Sequence, residues 1–137
     1  MTAFNDRFLK ACRQEQTDRP PVWFMRQAGR YQDEYRAIRK KHTLVDICKI
    51  PEVCAEVTLL PIQQFGFDSA IIFSDIMIPL EPMGIDFEYK PGVGPIIHNP
   101  IQSKADVEKL KDLDFGKDLL YTGCLLYTSP SPRDKRQ

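Results

Sequence analysis

The sequence predicts an α/β fold with a parallel sheet, because two apolar runs are separated by helical patterns. Residues 22–25 form a short run of β-branched and aromatic character, and residues 69–74 form a second one. Such continuous runs are typical of strands buried on both faces, as in parallel sheets that helices cover. The order strand, helices, strand therefore predicts a right-handed βαβ unit.

The helices are predicted from the spacing of apolar residues and from residues that favour helix ends. Short helices are expected at residues 6 to about 14, 34 to about 41, and 44–49. Tyr35 and Ile38 fall on one side of the second helix. A longer helix begins with Pro51, which suits a first helical position, and ends at Gly66. Pro61 removes a backbone donor inside it, so we expect a kink there.

The part of the chain after residue 75 is rich in proline and glycine and predicts a small hairpin followed by a capped helix. Residues 85–89 alternate as a half-exposed strand does, and residues 92–95 are expected to turn the chain back. Ser103 with Asp106 predicts the start of a helix that runs to Leu110. From Gly123 onward the pattern predicts neither helix nor strand.

Composition and charge exclude several classes of protein. The chain has 137 residues, and its 19 basic and 19 acidic residues give a formal net charge of zero. This balance does not point to nucleic acid or a membrane surface as a partner. The N-terminus lacks the apolar segment of a secretory signal, so we expect a cytoplasmic protein. The four cysteines form no CxxC pair, so we expect free thiols and no metal site.

Two arginines four residues apart follow the first apolar run. Arg26 and Arg30 would lie beyond the carboxyl end of a strand, which is where α/β sheets bind ligands. A guanidinium group is a planar fork of donors that fits a carboxylate or phosphate, and Gly29 allows close approach of the backbone. The pattern predicts an anion site. A pair of structural arginines that bridge to acids elsewhere is the alternative at this point.

Two strings in the sequence carry a resemblance to a known family. Residues 22–31, Val-Trp-Phe-Met-Arg-Gln-Ala-Gly-Arg-Tyr, closely resemble the N-terminal signature of the uroporphyrinogen decarboxylase family. Residues 68–76, Asp-Ser-Ala-Ile-Ile-Phe-Ser-Asp-Ile, resemble the second strand of that family and its catalytic aspartate. The resemblance runs from about residue 5 to about residue 120. Gln32 and Asp33 stand where the family usually has Leu-Pro, which predicts a looser turn after the arginines.

The resemblance implies the N-terminal part of a (β/α)8 TIM barrel, with about two barrel strands and their helices. Residues 1–122 are expected to belong to it, and residues 123–137 to be a non-native or disordered tail. The family acts as a homodimer without metal or organic cofactor. It removes the four acetate carboxylates of uroporphyrinogen, which gives coproporphyrinogen in haem biosynthesis. The isolated chain is expected to be inactive.

The resemblance also assigns roles to residues. Asp75 would be catalytic, because its negative charge stabilises the pyrrole ring once that ring is protonated. The residues expected to bind substrate are Arg26, Gln27, Ala28, Gly29, Arg30 and Asp75. A structural ion pair between Asp75 and Arg26 is the alternative to the catalytic role.

Two other functions are alternatives to the decarboxylase. One is a methyltransferase relative that shares the barrel, although such relatives use zinc and generally lack the two-arginine signature. The other is a non-enzymatic module that binds an acidic ligand. Length separates this module from the decarboxylase, because a natural module would have a complete core of its own.

Overall fold

The structure, a computed structural model, describes residues 5–24 and 28–128, and its description of residues 125–128 is restricted to the backbone. The helices are α1 (Arg7–Cys12), α2 (Asp33–Lys41), α3 (Leu44–Lys49), α4 (Pro51–Phe65), α5 (Lys104–Val107), α6 (Phe115–Asp118) and α7 (Leu120–Thr128). A 3-10 turn (Ile78–Leu80) precedes the strands β1 (Phe87–Lys90) and β2 (Gly94–Ile97). In the described part of the chain, no helix is both long and apolar enough to cross a membrane.

Helices α2 and α3 confirm the predictions made from apolar spacing. Tyr35 and Ile38 on α2 are both buried, as their positions three residues apart predict. Helix α3 begins with a capping box, in which the Thr43 hydroxyl accepts from the Asp46 N–H at 3.1 Å. The Asp46 carboxylate accepts in return from the Thr43 N–H at 2.8 Å. These bonds satisfy donors that a helix start otherwise leaves open.

Helix α4 also follows its predicted bounds. Pro51 occupies the first turn, and Gly66 ends the helix in the left-handed conformation with φ of 65°, which glycine adopts without steric cost. Pro61 lies inside the helix, and the kink expected there stays a prediction. Val57 is fully buried, whereas Phe65 is 52% exposed. The residues of α4 that the core buries therefore lie in the middle of the helix, and its last turn is exposed.

The main core lies where α2, α3 and α4 meet. Its buried members are Tyr35, Ile38, Ile47, Val57 and Leu60, with Ala28, Val53 and Phe73 packed against them. Full burial of a side chain of this size contributes about 1.5–3 kcal/mol. This cluster fixes the three helices relative to one another and provides the surface on which the segment before Asp75 lies.

The prediction of buried strands at residues 22–25 and 69–74 is wrong for the residues that the structure describes. Within residues 5–24 and 28–128, the sheet consists of β1 and β2, so the predicted βαβ pair is not formed. Phe24 and Ile71 are each 59% exposed, so neither run is buried on both faces. A backbone hydrogen bond of 3.0 Å runs from the Asp68 N–H to the Val22 carbonyl oxygen. A ladder needs such bonds repeated at regular intervals along both segments.

Side chains of α4 hold the second run in place of a neighbouring strand. The Phe73 N–H donates to the Thr58 hydroxyl at 2.9 Å, and the Cys54 thiol donates to the Phe73 carbonyl oxygen at 2.9 Å. Cys54 and Thr58 are four residues apart and therefore share one face of α4. The Phe73 ring also packs on Tyr35, with ring centroids 5.8 Å apart. Helix α4 thereby positions the backbone two residues before Asp75.

The predicted hairpin is confirmed. Strands β1 and β2 pair antiparallel, with Phe87 opposite Ile97, and the positions of β1 are half-buried and exposed in alternation. Gly92 and Gly94 have φ of 78° and 108°, a conformation that a tight turn requires and that other residues rarely adopt. The α/β character of the chain is therefore present, but its sheet is this antiparallel hairpin.

The C-terminal part departs from the sequence predictions. Ser103 caps α5 as predicted, since its hydroxyl accepts from the Asp106 N–H at 3.3 Å, but the helix ends at Val107 rather than Leu110. The expectation of no helix from Gly123 is wrong through residue 128, because these residues continue α7. Helix α7 packs against α4 and α3, and such packing stabilises a short helix that local signals do not predict. The domain boundary at residue 122 stays a prediction.

Candidate active site

Asp75 lies directly after the segment that α4 holds, and its own side chain begins the next turn. The Asp75 Oδ1 accepts from the Met77 N–H at 2.8 Å, and the Asp75 carbonyl oxygen accepts from the Ile78 N–H at 3.2 Å. This is an Asx turn, which aspartate favours because its side chain substitutes for a backbone acceptor. Asp75 is half-buried, so its carboxylate lies at the surface of the helical core.

Tyr89 on β1 is the second partner of Asp75. Its hydroxyl donates to Asp75 Oδ1, with 2.5 Å between the two oxygens. Burial of Tyr89 raises the pKa of its phenol well above the ordinary value, and the hydrogen bond to Asp75 and the charge of that carboxylate raise it further. The phenol therefore keeps its proton at neutral pH and acts as a neutral donor.

A buried thiol, that of Cys48, lies next to the Asp75 backbone. Cys48 on α3 is 3% exposed. Its burial, the nearby Cys54 and the charge of Asp75 raise the pKa of the Cys48 thiol to about 12, against the lowering effect of a hydrogen bond from the Asp75 backbone. Because the thiolate is the reactive form of cysteine, Cys48 is not a nucleophile at neutral pH. It is a small, buried and unreactive group beside the Asp75 backbone.

Basic side chains surround an open cavity next to the hairpin. Arg30, Arg39 and Lys90 line this cavity of about 630 Å3 together with Leu44, Tyr89 and residues 91–94. Tyr89 thus belongs to the cavity wall and also contacts Asp75. Guanidinium and ammonium groups bind carboxylates through charge-assisted hydrogen bonds. The cavity combines a cationic wall with a carboxylate one side chain away.

The structure describes four of the six predicted binding residues. Arg26 and Gln27 lie outside the described residues. Ala28 is half-buried and packs on the main core, and Arg30 is exposed at the cavity. Gly29 forms a turn in which its carbonyl oxygen accepts from the N–H of residue 32 at 3.0 Å. Arg30 and Asp75 are therefore connected through the cavity and Tyr89, and the alternative ion pair between Asp75 and Arg26 lies outside the described residues.

The turn after the arginines is tied to α4 rather than loosened. Gln32 is 3% exposed, and its Oε1 accepts from the Gly29 N–H at 3.2 Å. Its Nε2 donates to Gln64 Oε1 at 2.7 Å, and Gln64 Nε2 donates to Glu34 Oε2 at 2.7 Å. The glutamine that departs from the family pattern thus fixes the turn, which corrects the expectation of a looser one.

The sequence did not single out three residues of this site. Tyr89 occupies an inward position of an alternating strand, and Lys90 precedes the turn of the hairpin. Arg39 belongs to a basic run on α2 that is typical of a solvated helix face. The alternation of residues 85–89 was a signal that Tyr89 turns inward, but nothing in the local pattern indicates which residue its hydroxyl contacts. Its partner is 14 residues away along the chain.

A second aspartate, Asp68, lies at the other end of the same apolar run and is fully enclosed. Its side chain is 0% exposed. Burial by itself raises the pKa of this carboxyl, but hydrogen bonds and a nearby guanidinium outweigh burial and lower the pKa below its ordinary value. The donors are Asn5 Nδ2 at 2.7 Å, the Val22 N–H at 2.7 Å, Arg19 at 3.1 Å, and Arg7. This cluster ties α1 and the segment after it to the start of the run.

Metal-ligating side chains do not cluster in the part of the chain that the structure describes. No group of three or more His, Cys, Asp or Glu in residues 5–24 and 28–128 has the arrangement needed to hold a metal ion. The described side chains of the site supply cationic groups that suit an anionic ligand, and Asp75 supplies a carboxylate that suits a developing positive charge.

Comparison with known proteins identifies the family. A family model described as uroporphyrinogen decarboxylase (URO-D) matches residues 3–126. A uroporphyrinogen decarboxylase from Bacillus pumilus (strain SAFR-032) is 55% identical over 119 residues, which are 87% of this chain and 34% of the relative. One from Sorangium cellulosum (strain So ce56) is 59% identical over 107 residues, which are 78% of this chain and 30% of the relative. The chain thus spans about a third of the length of these curated relatives, and it belongs to the uroporphyrinogen decarboxylase family.

Proposed function

We propose that this chain contributes the part of a uroporphyrinogen decarboxylase that carries Asp75 and a cationic wall for substrate carboxylates. The single observation that carries this proposal is that Tyr89 lines the cavity with Arg30 and Lys90 and also contacts Asp75. Membership of the family supports the reaction. The side chains of the cavity suit a substrate that carries several carboxylates.

The reaction requires an electron sink, because loss of carbon dioxide leaves an electron pair behind. Protonation of a pyrrole carbon makes the ring a cation. The bond between the acetate methylene and its carboxylate then breaks, and its electron pair neutralises the ring as carbon dioxide leaves. The methylene carbon takes up a proton to become a methyl group, and the ring carbon releases the proton that it took up in the first step, which restores the pyrrole. The negative charge of Asp75 stabilises the intermediate cation, which lowers the barrier to its formation.

The remaining parts of the proposal come from the family. Arg26 and Gln27 join Ala28, Gly29 and Arg30 in binding the acidic side chains of the substrate. The complete enzyme is a TIM barrel that acts as a cytoplasmic homodimer without metal or organic cofactor. The product is coproporphyrinogen, an intermediate of haem biosynthesis. Other parts of the barrel complete the pocket, so the isolated chain has no turnover.

A hybrid enzyme tests the proposal. Residues 3–126 of this chain replace the corresponding segment of the Bacillus pumilus relative, and conversion of uroporphyrinogen to coproporphyrinogen is followed by separating the partly decarboxylated products. We expect turnover within about tenfold of the parent enzyme, that is, a barrier difference of about 1.4 kcal/mol. A hybrid that folds and dimerises like the parent but releases no carbon dioxide would contradict the proposed function.

The cationic wall has its own test in the hybrid enzyme. Arg30→Met and Lys90→Met each remove one cation from the cavity and should raise KM about fivefold, as loss of a partly solvated ion pair implies. Lys104→Met is the matched control, because Lys104 is a 92% exposed side chain on α5 outside the cavity wall. An unchanged KM in both cavity variants would show that Arg30 and Lys90 do not bind the substrate.

A further inference from the structure

The contact between Asp75 and Tyr89 has a geometry that affects how the carboxylate is presented. Both described donors, the Met77 N–H and the Tyr89 hydroxyl, bind the same oxygen, Oδ1. Two donors on one oxygen restrict rotation of the carboxylate about its last bond, which is otherwise broad and soft. Neither of these bonds involves Oδ2.

The hairpin has anchors of its own and does not depend on this contact for its structure. The Asp86 N–H donates to Asn99 Oδ1 at 2.7 Å, and Asn99 Nδ2 donates to the Gly84 carbonyl oxygen at 2.8 Å. The Phe87 ring packs edge-on against Tyr89, with ring centroids 5.9 Å apart. Loss of the Tyr89 hydroxyl would therefore leave the hairpin and the ring contact in place and would change what Asp75 meets.

We propose that Tyr89 is a positioning residue that binds Oδ1 of Asp75 and thereby orients the carboxylate toward the protonated pyrrole of the substrate. This inference rests on the proposed function. A hydroxyl suits the task because it is a neutral donor. It fixes the carboxylate without cancelling the negative charge that stabilises the substrate cation, as a guanidinium in the same place would.

Kinetics of the hybrid enzyme test the positioning role. Tyr89→Phe removes one oxygen and keeps the ring, so kcat should fall about tenfold while KM stays within about twofold, as expected when an interaction acts on the transition state. Tyr121→Phe is the matched control, because Tyr121 is a half-buried tyrosine on α7 whose charged neighbour is Glu81. Equal kcat in Tyr89→Phe and the control would overturn the role.

A titration of the 137-residue chain tests the contact independently of activity. The phenol carbon of Tyr89 is followed by nuclear magnetic resonance against pH, and its signal is assigned by its loss in Tyr89→Phe. Asp75→Asn removes the charge that raises the pKa of Tyr89, so the titration should shift to lower pH. The Tyr121 phenol should not shift. An unchanged Tyr89 titration would overturn the inference.

The two experiments separate failure of the inference from failure of the proposed function. A shifted titration together with an active hybrid and a slower Tyr89→Phe variant supports both. A shifted titration with normal kcat in Tyr89→Phe overturns the positioning role and leaves the function standing. A shifted titration with a folded but inactive wild-type hybrid contradicts the function, and with it any positioning role in this reaction.

Discussion

Asp68 and Asp75 lie at the two ends of one apolar run, and they differ in exposure and in the charge of their hydrogen-bond donors. The Asp68 side chain is 0% exposed. Its donors are the side chains of Asn5, Arg7 and Arg19 and the Val22 N–H. Asp75 is half-buried, and both of its described donors, Met77 N–H and the Tyr89 hydroxyl, are neutral and bind one oxygen.

The Asp68 carboxylate is enclosed by arginines, whereas the proposed function assigns the Asp75 carboxylate to a ligand. Two guanidinium groups balance the charge of Asp68, so its field is neutralised where it arises and its oxygens are occupied. The described donors to Asp75 are neutral, so neither of them balances its charge. Under the proposed function, the negative charge of Asp75 stabilises the positive charge that develops in the bound substrate.

The largest expected effect on stability is that of Asp68→Asn. The change keeps the shape but removes a buried charge that two arginines face, and removal of one partner from a buried pair costs about 3 kcal/mol. Urea unfolding of the 137-residue chain, followed by circular dichroism, measures the change in the free energy of unfolding.

Asp112→Asn is the matched control for this measurement, because Asp112 is an exposed aspartate in an irregular segment. Its free energy of unfolding should stay within about 0.5 kcal/mol of the wild type. An Asp68→Asn variant as stable as this control would show that the Asp68 cluster is not what ties the N-terminal segment to the apolar run.

The contribution of Asp68 should also depend on pH. Its folded pKa lies below the ordinary value of 3.8, so the unfolded chain binds more protons as pH falls through this range. The stability that Asp68 contributes is complete above about pH 5 and is lost as pH falls toward the lowered pKa. The difference between wild type and Asp68→Asn should therefore shrink on acidification.

Unfolding free energies from pH 7 to pH 3 check this dependence. Asp18 and Asp46 also have lowered pKa values, so the wild type alone would mix several carboxyls. Subtracting the Asp68→Asn curve of unfolding free energy against pH from the wild-type curve isolates the contribution of Asp68. A difference that stays constant down to pH 3 would mean that the charge of Asp68 contributes no stability.

The smallest expected effect on stability is that of a substitution at Gly66, the glycine that ends α4 shortly before the apolar run. Gly66 has φ of 65°, and a Cβ there would meet no atom within 4 Å, so Gly66→Ala costs only the left-handed conformation, about 1 kcal/mol. Gly123→Ala inside α7 also meets open space, but there alanine should stabilise the helix by about 0.5–1 kcal/mol. If both variants raised the melting temperature, or both lowered it, the distinction between a left-handed glycine at position 66 and a helical one at position 123 would be contradicted.

The sequence predicted the helices around the core well, because their signals are local. Apolar spacing placed Tyr35 and Ile38, Pro51 marked the first turn of α4, and Gly66 marked its end. The two apolar runs were predicted as strands for the same local reason. A strand, however, exists only if a neighbour repeats its hydrogen bonds, and here Thr58 and other side chains of α4 hold the second run instead.

The site was predicted in part. The resemblance to the family singled out Asp75 and Arg30, whose roles stay predictions, but the residues that hold Asp75 follow from tertiary contacts. Asp68 shows the same limit, since its donor Asn5 is 63 residues away along the chain. Apart from the resemblance to the family, nothing in the local sequence distinguishes Asp68 from Asp75, because both flank one apolar run. Only the contacts show which carboxylate is enclosed.

The measurement that tests the account most directly compares Asp68→Asn and Asp75→Asn in the hybrid enzyme, with turnover and melting temperature recorded for both. We expect Asp75→Asn to lower kcat by about 10²–10³ and to melt within about 3 °C of the wild type. Asp68→Asn should melt several degrees lower and, below its melting point, keep most of its turnover. Near-normal turnover in Asp75→Asn, or a loss of stability there as large as in Asp68→Asn, would contradict the division between the two aspartates.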